Sequence, residues 1–209
     1  MHTPTRPPRG RPRSFDRDRA VLEAARLFWR HGYSGTSTRA LTTALGLSTS
    51  SLYAAFGSKA GLFEEAVRTY AERYREIYRQ AVAEPDLGTV VERVLVDSAH
   101  EFTQPSEVHP GCLLSSAAMT DSTSTLDTSA HYAELHAWNE GALHARVERA
   151  VRDGELTAGT DAAALTGLVQ SVVHGMSVRA RLGASRTDLL VTARLTLDLV
   201  RGLFTTPDT

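Results

Sequence analysis

One cysteine and one lysine occur in 209 residues. The single Cys112 excludes an intramolecular disulfide and leaves no thiolate set for a structural zinc site. No stretch approaches ~18 consecutive apolar residues, so no membrane-spanning helix is expected. The N-terminus is basic, but no apolar segment follows it. It therefore does not read as a secretory leader, and a cytoplasmic chain is expected. Alternating apolar–polar runs bounded by turn residues are also missing, which leaves an all-α fold. There is no Gly-rich phosphate loop, nucleophile elbow or paired-histidine zinc motif, so no metal, cofactor or enzymatic activity is expected.

What is present is unevenly charged. Residues 1–60 hold ten basic and three acidic side chains, a balance of +7, whereas the remainder holds 13 and 21, a balance of −8. A basic leading quarter on an acidic body points to a polyanionic partner for that quarter.

Periodicity divides the chain into four parts. Residues 1–14, rich in Pro, Arg, Thr and Gly, form a basic arm without core-forming residues. Residues 15–57 carry three helical patterns. In the first, Val21, Ala24, Ala25 and Phe28 share a face, and Gly32 is a stop. The second opens near Thr36 as N-cap, with Leu41, Ala44 and Leu45 on its apolar face. The third opens at Ser48, flanked by Leu47 and Leu52 at the positions of a hydrophobic staple. A connecting helix spans 58–84, about 39 Å at the usual rise, with Phe63, Ala66, Val67, Tyr70, Tyr74, Ile77 and Ala81 as its buried stripe. Residues 85–209 contain further helical patterns over 88–104, 111–120, 126–153, 161–182 and 186–205.

Two short helices joined by Leu45-Gly46-Leu47-Ser48 have the spacing of a helix-turn-helix, whose second helix enters the major groove. At this point the sequence resembles the TetR family of regulators. The resemblance rests on Ala24-Ala25-Arg26-Leu27-Phe28, Gly32-Tyr33-Ser34-Gly35-Thr36-Ser37, Ala44-Leu45-Gly46-Leu47-Ser48 and Ser51-Leu52-Tyr53-Ala54-Ala55-Phe56-Gly57-Ser58-Lys59. It implies nine helices, an N-terminal helix-turn-helix domain, and a C-terminal helical domain that binds a ligand and dimerises through the last two helices.

Candidate DNA contacts follow. Lys59 starts the connecting helix, where a phosphate offsets the unfavourable meeting of a cation with the helix dipole. The resemblance gives the matching lysine a backbone contact. The Tyr53 hydroxyl, Thr36 and Arg39 are phosphate candidates, and Arg39 has the reach for a base edge. Thr49, Ser50 and Ser51 open the recognition helix with short hydroxyls that discriminate weakly between bases. Many relatives carry lysine, arginine or glycine at the Thr49 or Ser50 positions, so bidentate reading from this helix is reduced here. In the arm, Pro8-Arg9-Gly10-Arg11-Pro12 resembles the core of an AT-hook. Arg9 and Arg11 are thus either minor-groove contacts or part of a generally attractive basic tail.

For self-association, the terminal pattern offers Leu190, Ala193, Leu197, Val200 and Phe204, and the preceding one Leu165, Val169, Val172 and Met176. Both are seams for helix packing, either between two subunits or within one. Gly167, Ser171 and Gly175 form a small-residue stripe beside them. Ligand-contact candidates in the C-terminal half are Phe102, Cys112, Leu113, Met119, Trp138, His174 and Met176. This polar-poor set matches a small apolar or aromatic effector. Gly111-Cys112-Leu113-Leu114 is similar to a helix opening found in several TetR subgroups. Tyr132, His136, Glu140, His144 and Glu148 recur every four residues and read as a polar outer face. The expected function is a repressor, homodimeric on double-stranded DNA, released from a palindromic operator by a small molecule. The alternative is a ligand-independent regulator governed by a protein partner or by Cys112 oxidation.

Overall fold

The computed structural model describes residues 16–104, 111–113 and 128–205. Arg9, Arg11 and the rest of arm 1–14, Met119, and most of the helix expected over 111–120 lie outside them. Eight helices are described: α1 (Arg17–Gly35), α2 (Thr38–Leu45), α3 (Thr49–Phe56), α4 (Lys59–Val82), α5 (Leu87–Phe102), α6 (Thr128–Arg152), α7 (Ala162–Arg181) and α8 (Arg186–Arg201). No strand occurs among the described residues; an isolated antiparallel bridge, Leu156 to Phe204, ties the α6–α7 loop to the end of α8. No described helix is long and apolar enough to cross a membrane.

The helix ends follow local chemistry. Side chains of Asp16, Ser48, Ser58, Asp86, Asp161 and Ser185 accept from first-turn backbone N–H groups, and Ser185 with Asp188 completes a capping box. Gly32, at φ 71°, kinks α1 at the expected stop. The cap of α2 differs from expectation. Ser37 accepts from Ala40 N–H, while Thr36 is wholly buried and its hydroxyl bonds the carbonyls of Leu27 and Gly32. Ala44, expected on the apolar face of α2, is exposed.

The helices α1–α3 pack around Leu41, Leu52, Phe56 and Phe28, and α4 carries this core onward. Phe28 meets Phe63 edge-on at 4.9 Å. The predicted stripe of α4 is buried except for a partly buried Ile77, and Leu62 and Tyr78 extend it. Gly61, in the first turn of α4, lies against the C-terminal end of α3. A Cβ there would lie 2.2 Å from the Phe56 carbonyl oxygen, so no side chain fits. Helices α4 to α8 form the larger body, with α5 against α7 and α8 and α6 against α4 and α7.

Candidate nucleic-acid interface

The turn between α2 and α3 is made by Gly46, whose φ of 64° lies in the left-handed region that glycine enters without steric cost. Its neighbour Leu47 donates its N–H to the Thr42 carbonyl at 3.0 Å, closing the corner. The chain then enters α3 with Ser48 as cap. The Ser48 hydroxyl accepts from Ser51 N–H at 3.0 Å and bonds the hydroxyls of Ser50 and Ser51 at 2.9 and 2.8 Å. One face of α3 is lost to the core through Leu52 and Phe56. The other leaves Thr49, Ser50, Ser51, Tyr53 and Ala54 exposed at its head, with Tyr53 45% accessible. Arg39 is exposed on α2. Lys59 is the first residue of α4, and its ammonium lies 4.2 Å over the Tyr33 ring. That contact offsets part of the helix-dipole cost of a cation at this position.

Thr36 is corrected: with its hydroxyl committed inward and no exposed surface, it supports the α1–α2 corner and reaches no phosphate. Arg17 has no counterpart in the sequence expectations. Its guanidinium makes paired bonds of 2.8 and 2.7 Å to the Glu65 carboxylate, donates to the Ala55 carbonyl at 2.8 Å and lies 4.7 Å over the Phe56 ring. It joins α1, the end of α3 and α4 at one point and so fixes how α3 is presented. Contacts spaced 38 and 48 residues apart have no local sequence signal.

The terminal helices revise the packing expectation. Val169, Met176, Ala193, Leu197 and Val200 are buried within the subunit, and Val172, Leu190 and Phe204 are partly covered. Leu190, Ala193 and Leu197 line a groove with Glu92, Val96 and His100 of α5. The expected seam is therefore the subunit's own core. The opposite face of the same two helices is apolar and open. It carries Leu168 and Val178 on α7, Leu182 at its C-cap, and Val191, Leu195 and Leu199 on α8, each 49–81% exposed. Ser171 and Gly175 lie between them, and a Cβ added at Gly167 or Gly175 would meet nothing within 4 Å.

The C-terminal candidates also divide. Phe102, Cys112, Leu113 and Met176 are core residues. Phe102 stacks on Tyr74 at 5.8 Å, and the Cys112 N–H donates to the Ser177 hydroxyl at 3.0 Å. Trp138 lies at the surface of α6, 37% exposed, with the Arg79 guanidinium 5.8 Å from its ring. His174 is likewise exposed. It sits at the edge of the body, its Nε2 2.8 Å from His136 Nδ1. That pair turns His136 away from the expected outer face. Burial, then the neighbouring His174, lowers its pKa to about 4. Nor is the body's interior polar-poor. The Tyr74 hydroxyl bonds Ser98 at 3.0 Å, and the Tyr78 hydroxyl donates to Gln170 Oε1 at 2.8 Å. Asn139, 1% exposed, has neither amide atom bonded, and Gln170 Nε2 is also without a partner.

Comparison with known proteins agrees with this geometry. Residues 21–66, which span α1 to the first turns of α4, match the model of the bacterial regulatory proteins of the tetR family. The chain is 32% identical over 193 residues to the HTH-type transcriptional repressor ComR of Escherichia coli K12, covering 91% of each. The chain belongs to the TetR family. It is likewise 30% identical over 196 residues to the repressor BdcR of the same organism, covering 92% of each. Among solved structures it is similar to the TetR regulator CifR bound to a 26-bp operator duplex. The two share 36% identity and a TM-score of 0.72, over 90% of this chain and 98% of that one. The protein is thus a DNA-binding transcriptional regulator of TetR architecture, in a family of regulators and not of enzymes.

Proposed function

We propose that this TetR regulator is a repressor that holds its operator as a homodimer and lets go when a small molecule enters its C-terminal body. The observation that carries the reading is a pair of surfaces on one chain: the polar head of α3 and the open apolar face of α7 and α8. A single eight-residue recognition helix makes few base contacts. Two heads about 34 Å apart on a palindrome provide a usable operator. The six exposed apolar side chains of α7 and α8 supply the seam for a four-helix contact between subunits. Repression is the activity named for the similar ComR and BdcR.

The unsatisfied amides favour an effector different from the apolar one expected from sequence. The two stranded amides lie on neighbouring helices, Asn139 on α6 and Gln170 on α7, which the His136–His174 contact joins. Buried polar atoms without partners are costly. A ligand with both a donor and an acceptor, such as an amide or a hydroxy-carbonyl compound, removes that cost. Cys112 is a weaker control point, because its thiol is 6% exposed in the core.

The test is selection of bound duplexes from a random pool, followed by release assays with amide- and carbonyl-bearing small molecules. A palindrome bound by a dimer, released by a compound that no longer acts on Asn139→Leu, is the expected result. Asymmetric single-site binding by a monomer overturns the reading. Deleting residues 1–13 tests the arm: weaker binding with a shallower salt dependence places Arg9 and Arg11 on DNA, and unchanged affinity removes them.

A further inference from the structure

A cleft lies apart from both the reading face and the buried Asn139 and Gln170 amides. It occupies about 140 Å³ between α1, α4 and the C-terminal end of α5. Its apolar walls include Val21, Ala25 and Ala66, and its aromatic wall is Trp29 against Tyr70, edge-on at 5.3 Å. Glu101, 4% exposed, closes one end. It is one residue from the end of α5, where the helix dipole opposes a negative charge. Its Oε2 is paired with Arg73 at 2.9 Å and accepts from the Gln104 amide at 2.9 Å. Arg26 stands at the mouth, 57% exposed, with Glu23 at 2.6 Å.

We propose that this cleft binds a single-ring aromatic carboxylate and that its occupation is coupled to DNA affinity. The volume sets the ring count, since a protein cavity of about 150 Å³ accommodates benzene. The Trp29–Tyr70 pair offers a ring an edge and a face, which favours an aromatic over an aliphatic body. The polar end selects the charge. Glu101 is already ion-paired with Arg73, so an amine would have to compete with that guanidinium, whereas Arg26 and Arg73 each keep N–H donors beyond those given to Glu23 and Glu101. Two planar guanidinium forks match a carboxylate. Burial pushes the Glu101 carboxyl above its ordinary range despite Arg73 and Gln104. Coupling follows from position. The cleft has α1, which packs on the helix-turn-helix, as one wall, and α4 with α5 as the other. A ligand touching both walls binds better to whichever α1–α4 spacing fits it, and that preference shifts the head.

The experiment uses benzoate as the probe and the full chain in a Trp138→Phe background, so that Trp29 is the sole tryptophan and is excited selectively at the red edge of its band. Saturable quenching is expected, weakened about tenfold by Arg26→Gln or Arg73→Gln and unchanged by Asn139→Leu. Operator affinity, read by anisotropy, should change at least about fivefold at saturation. Arg26 is on the rim, so its variant stays informative even if Arg73→Gln, which strands Glu101, fails to fold. Absence of saturable quenching overturns the site. So does quenching insensitive to Arg26→Gln but lost in Asn139→Leu, which moves the ring into the interior. Binding that leaves operator affinity within twofold overturns the coupling. The operator arm rests on the DNA-binding reading and the fluorescence arm does not. Arginine-dependent quenching in a protein that holds no duplex keeps the cleft and discards that reading.

Discussion

The two outward surfaces of this molecule are opposite in chemistry. At the head, α3 shows Thr49, Ser50, Ser51 and Tyr53, with Arg39 and Lys59 alongside. At the other end, α7 and α8 show leucine and valine. The first is short, polar and cation-flanked, which suits a hydrated polyanion whose phosphates supply most of the affinity. The second is built of leucine and valine side chains that offer no hydrogen bonds, and covering it removes apolar surface from water. On the reading proposed above, the two surfaces act in series: the apolar one would set how many heads are present and how far apart, and the polar one would convert that spacing into operator affinity.

The sharpest way to break this scheme is to put charge on the apolar face. Leu195→Glu, at a side chain 60% exposed, should leave each subunit folded, dissociate the dimer, and weaken operator binding by about 100-fold or more through loss of the second head. Sedimentation and anisotropy on the same sample read both effects. Its neighbour provides the control. Leu197→Ala, two positions on and 6% exposed, should instead cost the subunit about 2–5 kcal/mol of stability by opening a core cavity. If the two substitutions behave alike, the division of α8 into an inner and an outer face is wrong.

That division also marks where the sequence stopped being informative. The helix boundaries were legible because caps and stops are local: Ser48, Ser58 and Gly46 act within three residues. The helix-turn-helix was legible for the same reason, through its turn and its apolar spacing. In α8 both stripes are apolar, 190/193/197/200 and 191/195/199, and periodicity cannot tell which one the subunit covers for itself. Asn139 and Gln170 were invisible because an amide looks the same in a list whether it is bonded or stranded. Arg17 was missed because its partners, Ala55 and Glu65, are distant in the chain.

At the polar end the effects are smaller. Lys59→Ala should weaken operator binding about tenfold, equally across related sequences, and lower the salt slope by about one per subunit. A loss confined to one base position would show instead that Lys59 reads sequence. Arg17→Ala tests presentation rather than contact. With its bonds to Ala55 and Glu65 gone, α3 is held less firmly, so operator affinity should fall about fivefold while the salt slope stays unchanged. Hydrogen exchange should quicken in α3 and stay constant in α7 and α8.

The smallest expected effect concerns neither surface but the helix pair that supports the apolar one. His136 is held at a pKa of about 4 against an ordinary 6.5, first by burial and then by His174. The folded form therefore resists a proton that the unfolded chain accepts. Between about pH 6.5 and 4 the unfolded state binds more protons, so stability falls as pH falls through that window and is fully present above it. The melting temperature should drop by about 3 °C between pH 7 and 5 through this group. His136→Gln should flatten that part of the profile while leaving the pH 7 dimer intact. Because His174 lies on α7, one residue from Gly175 of the open face, protonation should loosen the α6–α7 contact before it disturbs the head. A pH-induced loss of α3 protection that precedes any change in α7 would reverse that order and place the acid-sensitive point in the DNA-binding end.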